Sequence, residues 1–291
     1  MKVGVVGAGL MGGEIALIFA LGGFEVVLND LDEGALRRAM SRLEALLQKG
    51  VSRGLYTSAQ GGEALTRITP VLDLERLADC DLVTEAVFES LEAKQAVLRR
   101  LDAVCRPDCV LASNTSTLPI STLSAALAPE RRAAFLGTHY FSPASRMQLV
   151  EVIPGFDTGP QTSARVVELL RSIGKEPVLI KDVAGFAVNR LLHAMLIEAV
   201  KLVDEGVASP KDIDLACRLG LGHPIGPFAL MDVVTSDLCL QVQGILHEAY
   251  GERFRPPALL KQRVAAGYTG GRGRQGWTGG THDQSHGSPQ A

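Results

Sequence analysis

Residues 2–30 read KVGVVGAGLMGGEIALIFALGGFEVVLND, and the order of their parts decides the fold. Lys2 to Val6 is a short apolar run of strand character. Met11 to Leu21 carries Ile15, Ile18 and Phe19 at helical spacing until Gly22-Gly23 stops it, and Phe24 to Leu28 is strand-like again. A β-α-β unit this short predicts a parallel sheet with a right-handed crossover. Between the first strand and the helix stands Gly7-Ala8-Gly9-Leu10-Met11-Gly12. In a dinucleotide-binding turn, Gly7 allows the tight bend, Gly9 lets the backbone approach a pyrophosphate, and Gly12 lets the helix pack close to the strand. The helix start, at Leu10 and Met11, offers free N–H groups and a positive dipole end to phosphate. Asp30 closes the second strand, where a carboxylate accepts hydrogen bonds from ribose hydroxyls and repels a 2′-phosphate. That favours NAD over NADP, and Leu31 follows rather than a basic residue, although Arg37-Arg38 come soon after. A glycine turn serving only close packing would carry the same residues.

Outward from this unit the alternation continues. Leu36 to Leu47 is an amphipathic helix with basic residues on its outer face, and Ser52 to Thr66 is polar and turn-rich. Strands are predicted at Leu82 to Thr84, Val110 to Ala112, Ala134 to Gly137 and Leu149 to Ile153, with helices at Leu91 to Val104 and Ile120 to Leu127. This is a doubly wound α/β, Rossmann-type pattern, and it assigns residues 1–182 to a dinucleotide-binding domain. Beyond a boundary between Ile180 and Ala184 the texture changes to all-α. Phe186 to Val203 is one apolar-periodic stretch. Ser209 then caps a helix with Pro210 at its first position and Lys211 to Leu219 behind it. A smaller helical domain over 183–278 is expected, for substrate binding and dimerisation. Gly267 to Ala291 holds eight glycines, so residues 279–291 read as a loose tail.

Composition excludes several classes of function. With 29 basic and 32 acidic residues the formal net charge is −3, and no basic tract suggests nucleic acid as a partner. The longest apolar runs, such as Ile15 to Leu21, are too short to span a membrane. No signal-peptide pattern follows Met1-Lys2, which makes the cytoplasm the default location. Five cysteines (Cys80, Cys105, Cys109, Cys217, Cys239) lack CxxC spacing. They read as reduced, mostly buried thiols, and no metal site is predicted.

Ser113-Asn114-Thr115-Ser116-Thr117 follows a predicted strand, which puts polar groups, Asn114 among them, at the carboxyl edge where ligands of such sheets bind. His139 ends another strand, Glu151 lies twelve residues later, and Asn189 opens the long helix of the second domain. Oxidation of a secondary alcohol by hydride loss needs a base for the hydroxyl proton. A neutral imidazole suits that task, and a carboxylate on its other nitrogen fixes the tautomer. A hydroxyl and an amide then orient the substrate oxygen. Taken alone, a strand-end histidine is equally a structural one, Glu151 a surface carboxylate, the serine-threonine run a helix-capping turn, and Asn189 a solvent-facing side chain.

Long segments in register remove part of that ambiguity. VGVVGAGLMGGEIA, LVTEAVFESLEAKQAVLRRLD, LASNTSTLPI, GTHYFSPASRMQLVEVIPG, DVAGFAVNRLL and GHPIGPFALMD together resemble the L-3-hydroxyacyl-CoA dehydrogenase family from Lys2 to about Tyr268. The resemblance implies reversible NAD-dependent oxidation of an L-3-hydroxyacyl-CoA to the 3-ketoacyl-CoA. It makes His139 the base, Glu151 its partner, and Ser116 and Asn189 contacts of the reacting substrate. It puts Glu89 and Lys94 at the nicotinamide end of the cofactor site, and Lys49 and Arg53 near the coenzyme A phosphates. The latter two equally suit a solvated basic helix face. Two departures stand out. HYFSP carries Ser142 where the family commonly has asparagine, a variant similar to that of the multifunctional β-oxidation enzymes, whose hydratase domain this chain is too short to hold. The family's closing GRKTGRGFYDY-like segment is replaced by GGRGRQGWTGG, in which Trp277 is the candidate for the aromatic near the cofactor.

Two other functions fit the same residues. One is a dehydrogenase of a free hydroxy acid, of sugar-acid or carnitine type. The other is a non-catalytic NAD-binding relative, as lens crystallins of the superfamily are, which the intact Ser116, His139, Glu151 and Asn189 set argues against. The apolar Phe186 to Val203 stretch also predicts a homodimer.

Overall fold

Apolar strands alternating with amphipathic helices bury their faces most cheaply as a sheet covered on both sides. The computed structural model describes residues 1–279, and the chain divides into two units, Met1–Phe186 and Ala187 onward. The first begins with β1 (Lys2–Val6), α1 (Leu10–Leu21), β2 (Glu25–Asn29), α2 (Glu33–Ser52), α3 (Ser58–Thr66) and β3 (Ile68–Val71). It continues with β4 (Leu82–Glu85), α4 (Leu91–Val104), β5 (Val110–Ser113), α5 (Ile120–Ser124) and β6 (Phe135–Tyr140). It ends with β7 (Leu149–Pro154), α6 (Pro160–Ser172) and β8 (Glu176–Leu179).

The eight strands form one sheet in the order β3-β2-β1-β4-β5-β6-β7-β8. Strand residues alternate between two apolar clusters. Val3 and Val5 pack with Ile15 and Phe19 of α1, Leu43 of α2 and Leu170 of α6. Val6 and Leu111 pack with Leu98 of α4 and Leu123 of α5. Ile15, Leu17, Ile18 and Phe19 are each buried, and each contributes roughly 1.5–3 kcal/mol relative to exposure. Packing rather than capping therefore holds α1. No side chain caps its first turn, so the amides there are left for a ligand.

The parallel pairing expected of the first β-α-β unit is present between β1 and β2. All neighbours are parallel except β6 and β7, which run antiparallel. The link from Phe141 to Gln148 is shorter than the dozen or so residues a parallel crossover needs, so the chain reverses. The polar stretch after α2 is also not all turn. Thr57 and Gln60 form a capping box, the Thr57 hydroxyl accepting from Gln60 N at 3.2 Å and the Gln60 amide oxygen from Thr57 N at 2.9 Å. That box starts α3. β3 and β8 are edge strands, each containing a proline (Pro70, Pro177) and mostly exposed. Edges tolerate proline because one side of the strand has no ladder to complete.

The second unit is helical, with α7 (Val188–Asp204), α8 (Pro210–Gly220), α9 (Pro227–Val234), α10 (Ser236–Tyr250) and α11 (Ala258–Ala265). They enclose Leu196, Val200, Phe228, Met231 and Leu260. Phe186 does not join α7. It sits at φ +47° just after Gly185 at φ +70°, and it packs into the first unit. Ser209 caps α8, its hydroxyl accepting from Asp212 N at 3.2 Å, and Asp214 caps α9 by accepting from Phe228 N and Ala229 N. The glycine-rich stretch is ordered through Thr278 by one buried carboxylate. Asp232 accepts from Trp277 N, Thr278 N and Thr278 Oγ1 at 2.8–3.0 Å. Trp277 is a core residue, its ring 4.9 Å from that of Phe228 and its Nε1 donating to Ser236 Oγ. Of the tail expected over 279–291, all but Gly279 lies outside the described residues. Among the described residues no single helix is long and apolar enough to cross a membrane.

Candidate active site

The glycine turn is braced from three sides. Gly7 N donates to Asn29 O at 2.8 Å, Ala8 N donates to Asp30 Oδ2 at 2.7 Å, and the Arg42 guanidinium donates to the carbonyls of Ala8 and Gly9 at 3.0 and 3.1 Å. Arg42 escaped the sequence reading, because its partners lie more than thirty residues upstream. The turn passes a direct test for a dinucleotide. Gly7 has φ +101°, and a Cβ there would lie 2.7 Å from Ala86 O. A Cβ on Gly12 would lie 1.8 Å from Gly7 O, so both glycines are needed by the fold. A Cβ on Gly9 would meet nothing within 4 Å, which leaves open space where a pyrophosphate approaches the Leu10 and Met11 amides. Asp30, with its oxygens on Ala8 N and Asp32 N, keeps lone pairs for ribose hydroxyls.

The antiparallel β6–β7 pair builds the second half. Its register sets His139 directly opposite Glu151, and side chains so placed share one face. His139 Nδ1 lies 2.8 Å from Glu151 Oε2. Both residues are buried, and the imidazole is flanked by the rings of Phe141 and Phe186 at 4.5 and 5.7 Å. With Nδ1 committed to the carboxylate, Nε2 is the nitrogen left to serve as a base.

The loop after β5 is held by Glu89. Its Oε1 accepts from Ser116 N and Thr117 N at 2.8 and 3.0 Å, and from the hydroxyls of Thr115 and Thr117. Burial pushes its carboxyl up, but Lys94 and these donors outweigh burial and hold it below the usual range. Lys94 backs this carboxylate from within the fold. It is wholly buried, with Nζ bonded to Glu85 Oε1 at 2.8 Å and 3.3 Å from Glu89 Oε2. Glu89, about a third exposed, is what reaches the edge. Asn114 Oδ1 accepts from Tyr140 N at 3.0 Å, tying this loop to the end of β6. The link between β6 and β7 is pinned by buried Glu14 of α1, which accepts from Ala144 N, and by Lys175, whose Nζ donates to Ala144 O and Met147 O. Burial pushes the Glu14 carboxyl up and the Lys175 ammonium down. Ser142 is exposed on that link, and nothing in the structure explains its replacing asparagine.

The first unit thus brings together the glycine turn, Asp30, Glu89, Asn114, Ser116, His139 and Glu151. Asn189 stands on the first turn of α7 in the second unit. Lys49 and Arg53 are exposed at the C-terminal end of α2, without a side-chain partner among the described residues.

A dinucleotide cradle and an imidazole–carboxylate pair on one sheet define an NAD-dependent dehydrogenase. Comparison with known proteins narrows this class. The family model for the 3-hydroxyacyl-CoA dehydrogenase NAD binding domain matches residues 2–183, and that for the C-terminal domain matches residues 185–279. A protein from Deinococcus radiodurans named "Probable 3-hydroxybutyryl-CoA dehydrogenase" is 42% identical over 95% of this chain and 99% of its own length. The 3-hydroxybutyryl-CoA dehydrogenase of Bradyrhizobium diazoefficiens is 40% identical over 95% of this chain and 94% of its own. Among solved structures, (S)-3-hydroxybutyryl-CoA dehydrogenase from Ralstonia eutropha superposes with a TM-score of 0.89 at 37% identity, covering 94% of this chain and 97% of that one. The chain belongs to the 3-hydroxyacyl-CoA dehydrogenase family, whose members are NAD-dependent oxidoreductases.

Proposed function

We propose that the chain oxidises an L-3-hydroxyacyl-CoA, 3-hydroxybutyryl-CoA or a close homologue, to the 3-ketoacyl-CoA, and runs in reverse with NADH. The observation that carries this reading is the buried His139–Glu151 pair at 2.8 Å. His139 Nε2 takes the 3-hydroxyl proton as the C3 hydride departs. Glu151 keeps the Nδ1 proton in place and stabilises the imidazolium that forms. Bound NAD supplies the hydride acceptor. Ser116 orients the substrate oxygen from the loop that Glu89 holds, and Asn189 is given its substrate contact by resemblance. Lys49 and Arg53, as exposed cations, hold the coenzyme A phosphates.

NADH formation with 3-hydroxybutyryl-CoA, set against free 3-hydroxy acids and with NAD and NADP compared, tests this reading. Turnover of the thioester with NAD, and much less with NADP because Asp30 repels the 2′-phosphate, is the expected result. Activity confined to free acids overturns the acyl-CoA assignment.

The active form is a homodimer built on the helical unit. Leu215, Leu219 and Leu221, on and just after α8, are 49–76% exposed, an apolar stripe that a second copy would cover. Light scattering coupled to size exclusion is expected to give twice the mass of the 30.9 kDa chain, and a clean monomer contradicts it. The five free cysteines, four of them buried, support a reducing, cytoplasmic location.

A further inference from the structure

The loop after β4 begins with a carboxylate that sequence reading passes over. Glu85 ends β4 wholly buried. Its Oε1 accepts from Lys94 Nζ at 2.8 Å and Val87 N at 2.7 Å, and its Oε2 from Ser113 Oγ at 2.7 Å. Its backbone carbonyl accepts from Asn114 N at 2.8 Å. One residue thereby joins α4, the β4–α4 loop and the end of β5. Lys94 Nζ also donates to Val87 O at 3.2 Å, and the ammonium sits between Glu85 and Glu89. Ala86 and Val87 in turn form the surface against which Gly7 packs.

We propose that Glu85 is a positioning residue for hydride transfer, acting through Lys94 on Glu89 and so on the Ser116 loop; this rests on the dehydrogenase reading above. A buried ammonium must be compensated. With Glu85 at 2.8 Å, Lys94 is compensated from its own side, and Glu89 keeps Oε1 for the Thr115–Thr117 donors. Without that charge Lys94 draws Glu89 inward and the loop loses its common acceptor. A displacement of about 1 Å at a reacting group costs roughly a hundredfold in rate. The glycine-turn end of the cofactor cradle has separate supports, Ala86 N to Val6 O and Gly7 N to Asn29 O, both 2.8 Å, so most of the cofactor affinity is spared.

The test compares wild type, Glu85→Gln and the double variant Glu85→Gln/Lys94→Met. It measures kcat with NAD and 3-hydroxybutyryl-CoA, the Kd for NADH by fluorescence, and the thermal midpoint. For Glu85→Gln, kcat is expected to fall about a hundredfold while the NADH Kd stays within about threefold. In the double variant the buried charges leave together, so the midpoint recovers while kcat stays low, because Glu89 has lost its anchor. Recovery of kcat along with the midpoint would make Glu85 a mere counter-charge and overturn the proposal. Failure of both variants to fold would assign it to stability and overturn it equally. A wild type without turnover overturns the dehydrogenase reading and this proposal with it. Unaltered kcat in Glu85→Gln beside an active wild type overturns the proposal alone.

Discussion

Replacing His139 by alanine is expected to lower kcat roughly a thousandfold, inside the range a positioned general base supplies, and to leave the Kd for NADH within about threefold. A thousandfold is about 4 kcal/mol of barrier, and the source of that figure is local. His139 Nδ1 is spent on Glu151 at 2.8 Å, and the ring is clasped by Phe141 and Phe186, so the imidazole cannot swing away and be replaced by a neighbour. The turn between β1 and α1, proposed to take the cofactor phosphates, is held by hydrogen bonds of its own to Asp30 and Arg42. Alanine also takes from buried Glu151 the imidazole it is bonded to, which costs stability in its own right. His139→Asn separates the two effects, because its amide can still donate to Glu151 but cannot accept a proton near neutral pH. Stopped-flow rates and NADH fluorescence on both variants decide the matter. A folded His139→Asn protein that retains a tenth or more of wild-type kcat removes His139 from the role of base.

The candidate site was legible in the sequence where chemistry and local order coincide. Gly7, Gly9, Gly12 and Asp30 lie within one β-α-β unit, so their spacing alone forces them together at the sheet edge. His139 and Glu151 were expected as a pair from their chemistry and from the resemblance, but neither spacing nor periodicity shows how they meet. Their meeting depends on β7 reversing direction, and only the shortness of the Phe141–Gln148 link hints at that. Glu85, Arg42 and Glu14 each hold a hydrogen-bond partner 28, 34 and 130 residues away, and no periodicity records such contacts. β3 and β8 were missed for the opposite reason. As exposed edges with prolines they lack the apolar signal that marks a buried strand. The glycine-rich close of the second unit reads as unable to order itself, yet Asp232 supplies, from 45 residues upstream, the acceptor its backbone needs.

The glycine turn offers the sharpest separation of fold from function, because Gly9 and Gly12 have opposite surroundings. In Gly12→Ala the new Cβ lies 1.8 Å from Gly7 O and 3.0 Å from Gly7 C. Neither atom can yield, since Gly7 N is bonded to Asn29 O and its φ of +101° already packs the residue against Ala86. The helix must move off the strand, at a cost of about 3 kcal/mol or more. The thermal midpoint is expected to fall by about 6–12 °C for a unit of this size, and NADH binding should be lost with the turn. In Gly9→Ala the Cβ meets no protein atom within 4 Å, and the backbone at φ −66° and ψ −167° suits any residue. Stability should change by less than about 1 kcal/mol, the scale of a weakened helix N-cap. The methyl nevertheless occupies the space through which a pyrophosphate approaches the α1 amides. Overpacking of that kind, at 1–3 kcal/mol, is expected to raise the Kd for NADH about 10- to 100-fold. Calorimetry and NADH titration on the two variants give the comparison. A Gly9→Ala protein that binds NADH as tightly as wild type would mean that the phosphates lie elsewhere and that this turn serves packing alone.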